Sequence, residues 1–165
     1  MTGQLTIRPA TEQDWAAIFP IIEQVVREGE TYAYPMSMSS DAARELWMEQ
    51  PPGLTVVAER DGAILGTAKM GPNRPGHGDH IGTASFMVAP EARGAGLGRL
   101  LGQWAIDWHR RSDFAGIQFN AVVASNEVAV RLWQSLGFEV VGTVPGAFRS
   151  RRHGLVGLHV MFLAL

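Results

Sequence analysis

The amino-acid sequence predicts a single α/β domain with a mixed sheet. Its 165 residues are enough to bury one hydrophobic core without disulfides or metal. Apolar runs of strand length alternate with apolar stripes at helical spacing, and this alternation is typical of α/β proteins. The sequence contains no internal repeat, low-complexity tract or linker. We therefore expect residues 1–165 to form one domain.

Capping, turn and proline residues divide the first half of the chain. Thr11 and Asp14 have the spacing of a capping box, so a helix is expected after a short first strand. Pro20 removes a backbone donor from this helix, which either kinks there or consists of two short helices. Asp61-Gly62 is typical of a tight hairpin turn. The other predicted elements are a strand at 5–8, a loop at 28–40, a helix capped by Asp41 at 41–49, and hairpin strands at 54–59 and 63–70.

The second half is predicted to hold four strands and two helices after a Gly/Pro-rich loop at 71–78. Hydrophobic periodicity predicts strands at 81–88, 117–123, 138–144 and 155–163, with helices at 97–110 and 127–136. The complete predicted order is β-α-α-β-β-β-α-β-α-β-β.

Composition excludes several classes of function. The 14 basic and 16 acidic residues nearly balance, so we expect neither a nucleic-acid nor a membrane partner. The absence of cysteine excludes disulfides, thiolate metal sites and a cysteine nucleophile. The sequence contains neither a signal-peptide pattern nor an apolar run of membrane-spanning length, and a cytoplasmic location is the expectation.

A glycine-rich junction between a predicted strand and a predicted helix carries the strongest chemical signal. Unpaired N–H groups of such a turn, together with the positive end of the helix, bind phosphate oxygens, and the two arginines add charge-assisted bonds. The dinucleotide fingerprint fails because Arg99 stands where its third glycine belongs, and the triphosphate loop fails because no Gly-Lys-Ser/Thr exists. The predicted anion-binding residues are Arg93, Gly94, Ala95, Gly96, Leu97, Gly98 and Arg99.

The junction and the residues after it resemble the GNAT acetyltransferase superfamily over essentially the whole chain. The matching features are Arg-x-x-Gly-x-Gly after a strand, then Asn126, Ala129, Leu132 and Gly137-Phe138. The resemblance implies a mixed, mostly antiparallel sheet whose central parallel strands splay apart, flanked by helices. It also implies acetyl-coenzyme A as co-substrate, with pantetheine along strand 81–88 and the pyrophosphate on the glycine turn.

A narrower resemblance is to bacterial relatives of the fungal proline-analogue (azetidine-2-carboxylate) acetyltransferases. Residues 118–126, Leu132-Trp133 and residues 145–149 carry it. The implied function is direct transfer of an acetyl group to the amine of a small molecule, with an amino acid or amino-acid analogue as one option. The alternative is a non-catalytic acyl-coenzyme A sensor.

The resemblance also implies roles for individual residues. A backbone N–H of Val88 or its neighbour Met87 is the expected donor to the thioester oxygen. Asn126 contacts the cofactor arm or thioester, or is only a helix N-cap. Trp133 stands where many members have an acidic tyrosine, and lies at the cofactor or is a core aromatic. Asn120 takes part in substrate binding or catalysis, or faces solvent.

The acceptor pocket is expected under the 28–40 loop. This loop carries Tyr32 and Tyr34, which recognise the acceptor or pin the loop to the core. Arg149, in an arginine-rich loop at 148–153, is the expected partner of a substrate carboxylate, or belongs to a solvated turn.

Two questions stay open at this stage, the general base and the oligomeric state. The general base is one of His80, Glu30 or His159, or Ser85 organises a water. No metal is expected, because the loop of His77 and His80, which also holds Gly76, Gly78 and Asp79, does not supply a third and fourth ligand. A homodimer is left open.

Overall fold

The computed structural model describes residues 3–165, which form one seven-stranded sheet with helices on both faces. The strand order is β1-β2-β3-β4-β5-β7-β6, and every neighbouring pair is antiparallel except β4 with β5. The strands are β1 Thr6–Pro9, β2 Leu54–Arg60, β3 Ala63–Pro72, β4 Ile81–Val88, β5 Gly116–Val123, β6 Glu139–Ser150 and β7 Gly154–Ala164; the helices are α1 Trp15–Glu28, α2 Ser40–Trp47, α3 Leu97–Arg111 and α4 Glu127–Ser135.

The two faces of the sheet have separate cores. Helices α1 and α2 cover one face, where Ile18 and Trp47 pack with Met87 of β4. Helices α3 and α4 cover the other, where Leu101 packs against β2 and β3 and Trp133 against β5. Side chains of a strand alternate between faces, so each central strand contributes to both cores.

The predicted fold class and element order are confirmed, and so is the Thr11–Asp14 capping box, whose Thr11 N–H donates to Asp14 Oδ2 at 2.7 Å. The hairpin turn at Asp61-Gly62 is also confirmed, because both residues have positive φ, as the tight hairpin turn requires.

Three local expectations need correction. The alternative of two short helices is excluded for α1, because the helix continues through the exposed Pro20. Helix α2 is capped by Ser39, whose Oγ accepts from Ala42 N at 3.2 Å, and not by Asp41. Strand β6 extends to Ser150, because register shifts between Val140 and Gly142 and between Val144 and Phe148 allow pairing to resume beyond Pro145.

His109 closes the core at the paired end of β4 and β5. Its ring is fully buried beside Phe114, in space that Gly82 leaves free, and its Nδ1 lies 2.7 Å from Ala105 O. Burial is the largest influence on this ring and lowers the pKa of His109 below its ordinary value of 6.5, although the Ala105 carbonyl opposes the change.

The His109 pKa predicts acid-sensitive stability. The unfolded chain takes up the His109 proton below pH about 6.5, whereas the folded protein takes it up only at lower pH, so stability falls as pH falls through this window. The fall approaches about 1.4 kcal/mol per pH unit for one proton. Urea unfolding at pH 7 and pH 5 measures it.

The control is His109→Asn, which removes the titrating ring. The difference in unfolding free energy between the two pH values should shrink in this variant. The pKa of Asp14 is lowered from 3.8 to about 2, chiefly by its hydrogen bond with Arg8. Asp14 therefore loses its contribution to the free energy of unfolding only below about pH 4, outside the range measured. An unchanged pH difference in His109→Asn would exclude His109 as its source.

Candidate active site

The site begins where β4 and β5 separate. These parallel strands pair only at Ile81↔Gly116 and Gly82↔Ile117, near their first residues. Beyond Gly82 the edge of β4 that faces β5 is free of the neighbouring strand. This gap is the splay that the sequence resemblance implies.

The backbone direction of each β4 residue follows from its bonds at the two ends. His80 O accepts from Ala115 N on the β5 side, whereas Ala89 N donates to Leu65 O on the β3 side. Because backbone groups alternate along a strand, Phe86 and Val88 direct their N–H and C=O into the gap.

Met87 lies differently from Val88. The N–H and C=O of Met87 point toward β3, where Met87 lies opposite Thr67. Its side chain is buried in the α1/α2 core. Of the two expected oxyanion donors, the geometry therefore favours Val88. It adds Phe86, which the sequence reasoning missed although strand alternation places residues i and i+2 on the same edge.

The free edge of β4 leads directly into the glycine turn. Gly94 and Gly96 have φ of 79° and 78°, in the left-handed region that glycine enters without steric cost. An added Cβ at either position meets nothing within 4 Å, so the surface above the turn is open. Gly96 is the N-cap of α3, and the N–H groups of Leu97, Gly98 and Arg99 begin the helix, where such donors have no partner within the helix.

The turn therefore fits a phosphate-bearing ligand. It offers positive φ, open space and consecutive donors at a helix N-terminus, the features of an anion-binding nest. Ala95 is exposed on the turn, and the side chain of Leu97 is buried beneath it. The two expected arginines flank it with exposed side chains.

Both arginines are held by protein partners. Arg93 Nη2 lies 3.0 Å from Glu28 Oε2 at the end of α1. Arg99 Nη2 donates to Ser135 Oγ at 2.6 Å, at the end of α4. These contacts tie the turn to helices on opposite faces of the sheet.

Asn126 and Trp133 belong to α4. Asn126 is its N-cap, with Oδ1 accepting from Ala129 N at 3.3 Å. Trp133 is buried, and its ring lies 4.8 Å from that of Phe86 and 4.9 Å from that of Phe119, so it fills the base of the splay between β4 and β5.

Tyr32 reaches the gap from the loop between α1 and α2. Its hydroxyl donates to Phe86 O at 2.7 Å and accepts from Phe86 N at 2.9 Å. Its ring lies 5.4 Å from that of Tyr34 and 6.3 Å from that of Trp47. Burial raises the pKa of Tyr32 well above its ordinary value, and also raises that of Tyr34.

Three amide side chains form a chain of hydrogen bonds beside the gap, and we call them the amide cluster: Asn73, Gln118 and Asn120. Gln118 Nε2 donates to Asn120 Oδ1 at 2.9 Å, and Asn120 Nδ2 donates to Asn73 Oδ1 at 2.7 Å. Continuing the β4–β5 register places Asn120 across the gap from Ser85. Phe119 packs in the α4 core, so its neighbour Asn120 lies on the face that carries α1 and α2.

Asn120 is exposed, which agrees with the alternative that its side chain faces solvent. It lies at a register shift between Phe119 and Val122, where β5 loses pairing with β7. Asn73 and Gln118 are cluster members that sequence reasoning missed. For Gln118, the signal was its i, i+2 spacing from Asn120; Asn73 is distant in sequence and gave none.

Arg149 is not brought to this group of residues. Strand alternation turns it away from Ser150, which faces the α1–α2 loop through a 2.6 Å hydrogen bond from its Oγ to Glu30 Oε2. Glu30 also accepts from Arg152 N at 3.0 Å, and the Ser150 hydrogen bond is the main cause that lowers the pKa of Glu30. A carboxylate held in this way joins the loop to the β6–β7 turn and is a poor base.

The histidine candidates lie away from Phe86. His80 precedes β4 at its paired end, six residues or about 20 Å along the strand from Phe86. His159 Nδ1 lies 2.7 Å from Thr143 Oγ1, between β7 and β6. Neither histidine therefore lies next to Phe86. Residues 3–165 contain no group of three or more His, Cys, Asp or Glu able to hold a metal ion.

A free strand edge that runs into an anion-binding turn defines a protein that takes an extended, phosphate-bearing ligand such as an acyl-coenzyme A. The chain belongs to the Acetyltransferase (GNAT) family, whose sequence pattern matches residues 15–138. It is therefore an acyltransferase, an acetyl-coenzyme A-dependent N-acetyltransferase.

Solved structures agree with this assignment. A GCN5-related N-acetyltransferase from Kribbella flavida is 55% identical, with a TM-score of 0.95 over 98% of both chains. The structure of yncA from Salmonella typhimurium with its cofactor acetyl-CoA is 29% identical, with a TM-score of 0.83 over 98% of this chain and 94% of that one.

One relative carries the acyl acceptor in its name. The L-amino acid N-acyltransferase MnaT of Escherichia coli is 31% identical over 145 residues, which cover 86% of this chain and 83% of the relative.

None of the helices within residues 3–165 is long and apolar enough to cross a membrane.

Proposed function

We propose that this protein transfers an acetyl group from acetyl-coenzyme A directly to the amine of a small molecule, an amino acid or amino-acid analogue. The observation that carries the proposal is the free β4 edge, with Phe86 and Val88 facing the gap, continuous with the glycine turn. Such an edge accepts an extended ligand as an added strand, and the turn binds its phosphates.

The residues of the chain divide the work of binding. The turn N–H groups at the start of α3 hold the pyrophosphate, with Arg93 and Arg99 beside it. Bound acetyl-coenzyme A supplies an activated thioester. Either the backbone N–H of Val88 or that of Phe86 stabilises the negative charge that develops on the thioester oxygen, because the two lie about 7 Å apart and one oxygen accepts from only one of them. A donor of this type contributes roughly 3 kcal/mol.

Asn126 and Trp133 form the far wall of the donor site in this proposal. The Asn126 amide retains an N–H pair for the pantetheine arm while its oxygen caps α4. Trp133 supplies an apolar surface. Its indole is a hydrogen-bond donor and not an acid, so we assign it no proton transfer.

The acceptor enters from the α1/α2 face. Tyr32, Tyr34 and Asn120 lie on this side, and the amide cluster carries no charge. Neutral amide side chains suit hydrogen bonding to a small acceptor such as an amino acid. The relationship to MnaT supports an amino acid, and the narrower proline-analogue substrate rests on the sequence resemblance alone.

The decisive experiment measures release of free thiol from acetyl-coenzyme A. Purified protein is incubated with amino acids, their decarboxylated amines, polyamines and antibiotics as separate panels. We expect acceptor-dependent thiol release with amino acids or their analogues. Saturable acetyl-coenzyme A binding in calorimetry without thiol release in any panel would favour the sensor alternative.

Asn120→Ala is expected to lower kcat/KM for the best acceptor by about 10- to 100-fold, because a lost hydrogen bond in a polar site costs about 1–3 kcal/mol. The dissociation constant of acetyl-coenzyme A should stay unchanged in calorimetry. The matched control is Arg149→Ala, since Arg149 faces away from the gap. Equal effects of the two substitutions would contradict the proposed acceptor site.

We also propose a homodimer through β6. This strand is an edge of the sheet, and Val140, Val141, Val144 and Leu155 expose apolar side chains on the β6–β7 hairpin. An uncovered edge with exposed valines favours association with a second copy. Sedimentation equilibrium tests the proposed dimer.

The cytoplasmic location and the absence of nucleic-acid and membrane partners stay predictions.

A further inference from the structure

The Tyr32 hydroxyl occupies an unusual place on the free edge of β4. It bonds both to the N–H and to the C=O of one peptide residue, Phe86, 54 positions further along the chain. A neighbouring strand or a strand-like ligand would use these same two groups. A ligand that binds along this edge must therefore displace the Tyr32 hydroxyl from Phe86.

The position of this hydroxyl is fixed by its surroundings. The Tyr32 ring packs at the edge of Trp47, which is buried and whose Nε1 donates to Thr67 Oγ1 at 3.0 Å. The loop is anchored next to it by the contacts of Glu30 with Ser150 and Arg152. The packing of the loop, and not chance rotation of an exposed side chain, brings the hydroxyl to Phe86.

We propose that Tyr32 is a catalytic residue: its hydroxyl holds the Phe86 N–H until the thioester carbonyl takes that donor, and then donates a hydrogen bond to the departing sulfur. The inference rests on the proposed function. It assigns to Tyr32 a part in the reaction that is separate from recognition of the acceptor.

The chemistry balances without an added reactant. The amine nitrogen forms a bond to the acetyl carbon, the C–S bond breaks, and its electron pair stays on sulfur. The proton that the amine loses passes through water to the thiolate. Tyr32 keeps its own proton throughout.

Burial supports a hydrogen-bond role over proton transfer. It raises the pKa of Tyr32 far above the value of about 8.5 of an ordinary thiol, so the hydroxyl remains protonated when thiolate forms. A neutral donor in a partly dry site stabilises developing charge without being consumed.

The first test is Tyr32→Phe, which retains the packed ring and removes only the hydroxyl. We expect kcat to fall about 10- to 100-fold. Acetyl-coenzyme A should bind unchanged or up to about tenfold more tightly, because its carbonyl no longer displaces the hydroxyl from Phe86. Coenzyme A, which lacks the carbonyl, should gain no more than about twofold. Thermal unfolding confirms that the variant is folded.

The matched control is Tyr34→Phe. Tyr34 is the other tyrosine of the chain and lies in the same loop, and among the described residues its hydroxyl makes no hydrogen bond. We expect its acetyl-coenzyme A affinity to stay within about twofold of the original protein, and any loss of activity to appear in the KM of the acceptor. Full kcat in Tyr32→Phe, or an equal loss in Tyr34→Phe, would overturn the inference.

A second test does not depend on catalysis. The chain has only two tyrosines, so 3-fluorotyrosine incorporated into the Tyr34→Phe variant labels Tyr32 alone. Acetyl-coenzyme A should move the ¹⁹F resonance, and coenzyme A should move it less. Equal shifts, or none while calorimetry records binding, would refute the Tyr32 role and leave the proposed function standing. Absence of binding would overturn both.

Discussion

Replacing Gly96 by valine is expected to abolish acetyl-coenzyme A binding, with a loss of at least about 100-fold in calorimetry. Gly96 has φ of 78° and caps α3, so a β-branched residue displaces the turn and redirects the N–H groups behind it. Each charge-assisted bond to phosphate contributes about 1.5–3 kcal/mol, and losing two accounts for the expected change.

The chain offers a closely matched control at Gly62. This glycine also has φ of 78°, and a Cβ added there also meets nothing within 4 Å, but it lies in the β2–β3 hairpin. Gly62→Val should therefore cost a similar amount of stability, about 1–2 kcal/mol, and leave binding intact. Undiminished affinity in Gly96→Val would refute the turn assignment.

Trp133→Ala is expected to lower the free energy of unfolding by about 3–5 kcal/mol. The ring packs against Phe86, Phe119 and Phe138, and Gly102 of α3 leaves room for it. Its removal leaves a cavity at the base of the splay that α3 and α4 fill only in part. Chemical denaturation measures the change.

The control variant is Trp133→Phe, which retains an aromatic ring and removes the indole N–H. It should recover much of the stability and keep kcat within about threefold of the original protein, because we assign the indole no proton transfer. A folded Trp133→Phe protein with kcat reduced by 100-fold or more would show instead that the indole N–H acts in the reaction.

Sequence patterns predicted the fold well where the residues that begin or end an element lie next to it in sequence. The Asp61-Gly62 turn and the capping box of Thr11 and Asp14 are short-range features, and their outcome follows from backbone sterics and nearby hydrogen bonds. The extent of β6 was missed because the strand resumes after Pro145 only through its pairing with β7. That pairing is not visible in the sequence of β6 itself.

The candidate site divides in the same way. The glycine turn was predicted because its residues are contiguous and need positive φ. The contact of Tyr32 with Phe86 joins residues 54 positions apart, and that of Asn120 with Asn73 joins residues 47 apart. Neither can be read from spacing. The outward direction of Arg149 depends on strand β6, which contains it, whereas the sequence pattern predicts a loop at this position.

In the proposed function, the alternation of side chains along β4 keeps the two substrates on different sides of the strand. We propose that the backbone edge and the α3 turn hold the donor, whereas Ser85 and the amide cluster, which lie on the α1/α2 face, contact the acceptor. Substitutions on that face should therefore leave binding of the acetyl donor unchanged. A descendant of this chain, natural or selected in the laboratory, can change its substrate by mutation of one wall while the acetyl donor stays the same.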